Sequence, residues 1–186
     1  MSRLPIVDPA TATGRARELL EAVRASLGIA PNFTRVLANS PKALEGFLGL
    51  YGASAGFAID KATRERVALA VAEGNGCRYC LSAHTAIGRG AGLGNDEMLR
   101  NRRGTSTETK AAAVVAFAKA LNERTGEVTS TDFEAARAAG ITDGEIVEII
   151  ALVALNVFTN ILNKASDVAI DFPRVEPFPR AVSIAA

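Results

Sequence analysis

Helix-start signals recur along this chain of 186 residues, and each is followed by apolar residues spaced as in an amphipathic α-helix. Ser40-Pro41 combines a capping side chain with a proline at the first helical position, and Asp60 precedes a second apolar stretch. Thr142 and Glu145 form a capping box before a third. No segment of any length alternates apolar and polar residues as a half-buried strand does. The sequence therefore predicts an all-α fold of about eight or nine helices.

The composition favours closely packed helices over a sheet. Apolar residues make up 48% of the chain, tryptophan is missing and alanine is abundant. The formal net charge of +1 gives no reason to expect a nucleic-acid partner. The length suits one domain with a sizeable core, so we predict a single domain over residues 1–186. Prolines near both ends predict extended arms at about residues 1–10 and 172–186.

Neither a secretory signal nor a membrane span is predicted. Residues 1–8 lack the apolar core of a signal peptide, and the longest uninterrupted apolar run, residues 149–155, is far too short to cross a bilayer. We therefore expect a soluble, cytoplasmic protein with no membrane partner. The helix that contains this run is apolar almost all round, which favours a central position or a subunit interface. For that reason we expect a homo-oligomer, a dimer or a hexamer.

The reactive side chains are concentrated in residues 65–84, ERVALAVAEGNGCRYCLSAH. This stretch holds both cysteines, Cys77 and Cys80, and the only histidine, His84. On a helix these three side chains fall within roughly 60° of one another and share one face. Asn75-Gly76 breaks the preceding helix, so Cys77 should lie at a helix N-terminus, where backbone N–H groups and the helix dipole favour thiolate over thiol. A thiolate attacks peroxides and disulfides, and His84 can accept or return a proton.

Three other interpretations of these residues remain open. In the first, the cysteines are small core residues. This explains a single cysteine well, but it explains poorly two cysteines and a histidine on one helix face. In the second, Cys77, Cys80 and His84 would bind zinc with Glu65 as a carboxylate ligand, although structural zinc normally takes four ligands from paired clusters. A permanent structural disulfide is the third, and it is rare in a chain without an export signal. A redox-active pair accounts for the pattern best, because two cysteines three residues apart at a helix start can reach bonding distance.

The pattern Glu65-x11-Cys77-x2-Cys80-x3-His84 resembles that of the AhpD-like alkylhydroperoxidases, within the carboxymuconolactone decarboxylase superfamily. The resemblance covers most of the chain and is strongest to the peroxidase-related subgroup. It extends to three further segments: Pro31-Asn32-Phe33, Ser40-Pro41 and Asn156-Val157-Phe158-Thr159-Asn160. It implies an AhpD-like helical bundle, and it agrees with an oligomer, since relatives are commonly oligomeric.

The resemblance also implies a role for each residue of the pattern. Cys80 would attack a hydroperoxide and pass through a sulfenic acid, Cys77 would donate a proton and resolve that acid as a disulfide, and Glu65 and His84 would relay protons. The reductant would be an external dithiol or a lipoylated partner protein, and we expect no tightly bound cofactor and no metal. One departure lies at Tyr79, where the best-studied peroxidase of the family has a second histidine. The proton relay should therefore be shorter in this chain.

Two alternative functions compete with peroxide reduction. One is a lactone decarboxylase or related proton-transfer enzyme, in which Glu65 and His84 act and the cysteines are incidental. The other is a non-catalytic, redox-sensing oligomeric protein. Glu65 also has a simpler interpretation, because it lies in the polar run of residues 61–66, which is typical of a solvated helix face.

Two polar groups outside residues 65–84 have no definite place in this scheme. Asn156, Asn160 and Asn163 recur at helical spacing, so they form either a hydrogen-bond network at the redox site or between subunits, or a partly exposed polar face. Arginines at positions 100, 102 and 103 are typical of a solvated helix end.

Overall fold

The structure is a computed structural model that describes residues 2–179. Within those residues it contains nine α-helices and no strand, so the predicted all-α class and the number of helices are both confirmed. The helices are α1 Gly14–Leu27, α2 Asn32–Leu37, α3 Pro41–Ala53, α4 Lys61–Gly74, α5 Arg78–Gly90, α6 Asn95–Arg102, α7 Thr109–Glu123, α8 Ser130–Ala138 and α9 Asp143–Ala165. A short 3₁₀ turn, Ser54–Gly56, follows α3.

The three helix-start signals of the sequence all function as caps. The Ser40 side chain accepts a hydrogen bond from the backbone N–H of Ala43, and Asp60 accepts one from Thr63. Thr142 and Glu145 form the complete capping box at the start of α9. Each cap satisfies backbone N–H groups that the first turn of a helix leaves without an intrahelical partner.

Helix α4 lies at the centre of the bundle and packs against α5, α6, α7 and α9. Val67 and Val71 are fully buried in a core that α7 and α9 also line. On another side of α4, the buried guanidinium of Arg66 donates to Glu97 over 3.0 Å and also to Glu108. Burial alone would raise the pKa of Glu97, but hydrogen bonds, with that from Ser106 the strongest, lower it to about 2. This carboxylate therefore stays charged and holds α4 to α6.

The C-terminal segment, residues 166–179, follows α9 and runs without helix across α4, α5 and α6. The backbone N–H of Val175 donates to Ser82 over 3.0 Å, and that of Phe178 donates to Glu73 over 2.8 Å. Within the described residues this segment thus lies on its own chain, as does the N-terminal arm, where the N–H of Arg3 bonds the carbonyl of Ser166. The predicted C-terminal arm continues to residue 186, and residues 180–186 lie outside the described residues.

The interpretation of the arginine cluster as a solvated helix end is wrong for Arg102. Its side chain is buried, donates to Glu73 over 2.7 Å and to the carbonyl of Glu176 over 2.7 Å, and lies over the ring of Phe178. The cause is the C-terminal segment, which covers this end of α6. Arg100 and Arg103 are exposed as expected.

Helix α9 is long and apolar enough to cross a membrane by length and composition. Half of its most apolar window is nevertheless buried inside the bundle, as in the core helix of a soluble protein. Its central position agrees with the sequence. The other face of α9 is exposed, with large apolar side chains at intervals of three, eight and three residues: Val147, Ile150, Phe158 and Ile161.

We propose that this exposed face of α9 is buried between copies of the chain. Ile150 and Ile161 also line a groove of about 690 Å³ between α7 and α9, which is walled by Val153 and Val157 and includes neither the cysteines nor His84. An apolar stripe beside an apolar groove exposes more hydrophobic surface than scattered side chains do, and such surface marks interaction sites.

Light scattering at micromolar concentration should therefore give a particle larger than the 19.4 kDa monomer. The double variant Val147→Glu, Ile161→Glu should shift it toward the monomer, because charges in an apolar interface lose their hydration. Ile29→Glu, at an exposed apolar residue outside α9, serves as the matched control and should leave the size unchanged. A 19.4 kDa particle from the unmodified chain would contradict the proposal.

Candidate redox site

The site begins where the chain reverses between α4 and α5. Gly76 has φ 61°, a left-handed conformation that glycine adopts without steric cost, and this ends α4 sharply. The next residue, Cys77, is the N-cap of α5, and its Sγ accepts the backbone N–H of Cys80 over 3.3 Å. The prediction that Cys77 lies at a helix N-terminus is confirmed. The helix start supplies the Cys77 sulfur with a donor that favours its charged form.

Cys77 and Cys80 are joined by a disulfide, with their Cα atoms 5.3 Å apart. That separation lies within the range that disulfides require. Both residues are buried, at 1% and 2% exposure. The short loop that the bond closes contains only Arg78 and Tyr79. The pair is thus held in the first turn of α5, beneath the surface of the bundle.

Glu65 and His84 form a second pair beside the first. Nδ1 of His84 lies 2.8 Å from Oε2 of Glu65, and this contact joins α4 to α5. The two side chains are 14% and 22% exposed, so the pair is reached by solvent more readily than the sulfurs are. The interpretation of Glu65 as a solvated helix residue is therefore wrong. Because α4 and α5 pack side by side, residues 65 and 84 meet although 19 positions separate them.

The asparagine stripe of α9 is buried and extends to the cysteines. Nδ2 of Asn163 donates to the Sγ of Cys80 over 3.4 Å. One turn earlier, Oδ1 of Asn160 accepts a hydrogen bond from Asn75 over 2.9 Å. Within residues 2–179, the side-chain amide of Asn156 donates only to the carbonyl of Leu152 in its own helix. The network interpretation thus holds for two of the three asparagines, and the exposed-face interpretation is wrong for all of them.

Tyr79, where the best-studied peroxidase of the family has a second histidine, is an anchor rather than a proton carrier. Its hydroxyl donates to Asp171 over 2.7 Å and accepts the backbone N–H of Phe33. Its ring packs edge-on against Phe33 and Phe172. Burial, followed by the hydrogen bond to Asp171, raises the pKa of Tyr79 far above its usual range. The side chain stays protonated and ties α5 to the first turn of α2 and to the C-terminal segment.

The profile of the Carboxymuconolactone decarboxylase family matches residues 41–123, the part of the chain that contains Glu65, both cysteines and His84. A comparison with curated protein sequences finds no match.

Solved structures extend the similarity to nearly the whole chain. An uncharacterised peroxidase-related protein with an alkylhydroperoxidase AhpD core, from Ralstonia eutropha JMP134, is 26% identical, with a TM-score of 0.80 over 91% of this chain and 92% of its own. A second peroxidase-related protein, from Silicibacter sp. TM1040, is 24% identical, with a TM-score of 0.78 over 90% of this chain and 91% of its own. The debrominase Bmp8, solved with 2,3,4-tribromopyrrole, is 21% identical, with a TM-score of 0.75 over 92% of this chain and 94% of its own.

The last two similarities, below 25% identity, concern the fold alone. The family profile and the AhpD-core neighbour agree with the residue pattern of Glu65, Cys77, Cys80 and His84. Residues 41–123 thus match the Carboxymuconolactone decarboxylase family, and the bundle as a whole has the AhpD-like fold.

Proposed function

We propose that the chain is a thiol-dependent hydroperoxide reductase of the alkylhydroperoxidase type. The observation that carries this proposal is a Cys77–Cys80 disulfide at the start of α5, the helix whose His84 pairs with Glu65 of the neighbouring α4. Peroxide reduction needs two thiols that together give up two electrons, and it needs groups that move protons between oxygen and sulfur. Both requirements are met within residues 65–84.

In the first step the Cys80 thiolate attacks one oxygen of the hydroperoxide. An S–O bond forms, the O–O bond breaks, and the other oxygen leaves as an alkoxide that takes up a proton to become an alcohol. Cys80 is oxidised to a sulfenic acid and the peroxide is reduced.

In the second step Cys77 attacks the sulfur of Cys80. The S–S bond forms, the S–O bond breaks, and the hydroxide leaves as water with the proton that Cys77 gives up. An external dithiol then returns two electrons and two protons to the disulfide and is itself oxidised. The external dithiol therefore reacts with the disulfide form of the protein.

Glu65 and His84 are the proposed proton relay. Nδ1 of His84 is engaged with Glu65, while Nε2 has no hydrogen-bond partner within residues 2–179. A carboxylate on one ring nitrogen fixes the tautomer and leaves the other nitrogen to exchange protons with the thiols and the leaving alkoxide. The partial exposure of the pair supports entry of the peroxide from this side.

The burial of both sulfurs supports a slender reductant. A lipoyl group on a partner protein, or a small dithiol, fits between packed side chains more easily than the surface of a second redox protein does. We place this cycle in the cytoplasm, where thiol pools keep cysteine pairs reduced between turnovers.

The two alternative functions make different demands on the same residues. A lactone decarboxylase would use Glu65 and His84 and would work equally well without sulfur. A redox sensor would form the disulfide without turning over. The direct hydrogen bond from Asn163 to Cys80 supports peroxide reduction over the decarboxylase, because it commits a buried polar group to the sulfur.

Cysteine variants separate these functions. With a dithiol as reductant and cumene hydroperoxide as substrate, Cys80→Ser should abolish turnover, because no sulfur remains to attack the peroxide. With the dithiol left out, Cys77→Ser should consume one equivalent of peroxide and stop at a sulfenic acid, which dimedone traps. Turnover retained in Cys80→Ser would refute the assignment of the attacking residue. A parallel assay with 2,3,4-tribromopyrrole, the molecule bound to Bmp8, tests whether the same thiols act on a carbon–bromine bond instead.

Variants of the relay test the proton transfer separately. Glu65→Gln and His84→Ala should each slow peroxide consumption by about a hundredfold or more, the usual loss when a general acid or base is removed. Glu21→Gln on α1, at an exposed glutamate, is the matched control and should retain the full rate. Rates equal to the control would show that the Glu65–His84 pair is structural.

A further inference from the structure

Asn163 contacts the reacting sulfur from a helix far away in sequence. It lies in the last part of α9, 83 residues beyond Cys80, and its Nδ2 donates to the Cys80 Sγ over 3.4 Å. Helix α9 fixes the position of residue 163, and the backbone carbonyl of Asn163 accepts the backbone N–H of Val168 over 3.1 Å. Asn163 is therefore held in a fixed position beside Cys80.

The amide of Asn163 is buried, at 5% exposure, and only half used. Its Oδ1 has no hydrogen-bond partner among residues 2–179. A buried polar atom without a partner is unfavourable, and leucine would fill the same space without that cost. The Nδ2 group bonds the sulfur and Oδ1 is unused, so Asn163 can bond a second chemical state of Cys80 through Oδ1.

Several charged side chains on the elements around α5 are bonded to groups other than the Cys80 sulfur. On α4, Glu65 is bonded to His84 and Glu73 to Arg102. Lys164 of α9 donates to the carbonyl of Asn75, and Asp171 of the C-terminal segment accepts from Tyr79.

On α6, Glu97 is bonded to Arg66 and Arg102 to Glu73. Among the described residues, Asn163 is thus the one side chain outside α5 that donates a hydrogen bond to the Cys80 sulfur.

We infer that Asn163 is a further catalytic residue, which holds Cys80 as a thiolate and then binds the sulfenic acid that forms on it. The inference rests on the proposed function for the second of these roles. A donor to the charged form of a group favours that form, so Nδ2 increases the thiolate fraction of Cys80. When the S–O bond has formed, the new hydroxyl has Oδ1 as its acceptor. Asn163 gains and loses no atom, and the electrons pass only between sulfur and peroxide.

The test uses iodoacetamide, which alkylates thiolates and needs no peroxide. Cys77→Ser leaves Cys80 as the single thiol, and serine keeps a capping oxygen at the start of α5. In this background Asn163→Leu removes both polar groups, and Asn163→Asp keeps the shape but removes the donor. Asn156→Leu is the matched control, since it removes a buried asparagine of α9 whose amide bonds only its own helix.

Both Asn163 variants should alkylate about tenfold more slowly at neutral pH than the control, with the pKa of Cys80 raised by about one unit. After addition of peroxide, the sulfenic acid on Cys80 should also have a shorter lifetime in Asn163→Leu than in Asn156→Leu, as followed by trapping with dimedone at successive times. Equal alkylation profiles in Asn163→Leu and Asn156→Leu would overturn the inference whatever the peroxide assay gives. A different outcome is that the pKa of Cys80 rises in the Asn163 variants while no form of the protein consumes peroxide. That result supports the thiolate role, but it overturns both the sulfenic acid role and the proposed function.

Discussion

The reversal of the chain at Asn75-Gly76 is the constraint on which the site depends. Left-handed backbone at Gly76 costs other residues roughly 1–2 kcal/mol, and it allows α5 to start directly beside α4. Asn75 holds the reversal in place: its side-chain amide bonds Asn122 of α7 and Asn160 of α9, and its carbonyl accepts from Lys164. Each such bond contributes about 0.5–1.5 kcal/mol net. With the turn fixed, residue 65 meets residue 84, and the cysteines fall at the first turn of α5.

Hydrogen-bond donors to the sulfurs and the burial of the sulfurs have opposite effects on the thiolate form. Among residues 2–179, each sulfur has one donor: the backbone N–H of Cys80 for Cys77, and the amide of Asn163 for Cys80. Such donors favour thiolates, whereas burial at 1–2% exposure disfavours charge. The donors are therefore needed if buried thiols are to be nucleophiles. Glu65 and His84 are more exposed to solvent than the sulfurs are.

The sequence predicted those parts of the site that depend on local signals. Asn75-Gly76 marked the helix break, so Cys77 was correctly expected at a helix start. Glu65 was different, because its polar neighbours favoured an exposed position and only the family spacing indicated a role. The contact of Asn163 with Cys80 was beyond prediction as a specific bond, since periodicity shows which residues share a face but not which helix that face meets. The burial of Arg102 was missed for the same reason: the segment that covers it follows more than 70 residues later.

The central claim is that Cys77 and Cys80 act as one two-electron unit toward peroxide. It is tested most directly by titrating free thiols in the fully reduced protein before and after one equivalent of cumene hydroperoxide, with the mass of the peptide that spans both cysteines. The account predicts that both thiols disappear together, that the peptide loses two hydrogen atoms, and that a dithiol restores both. Oxidation of one cysteine to a sulfinic acid while the other stays free, or no loss of thiol at all, would contradict it.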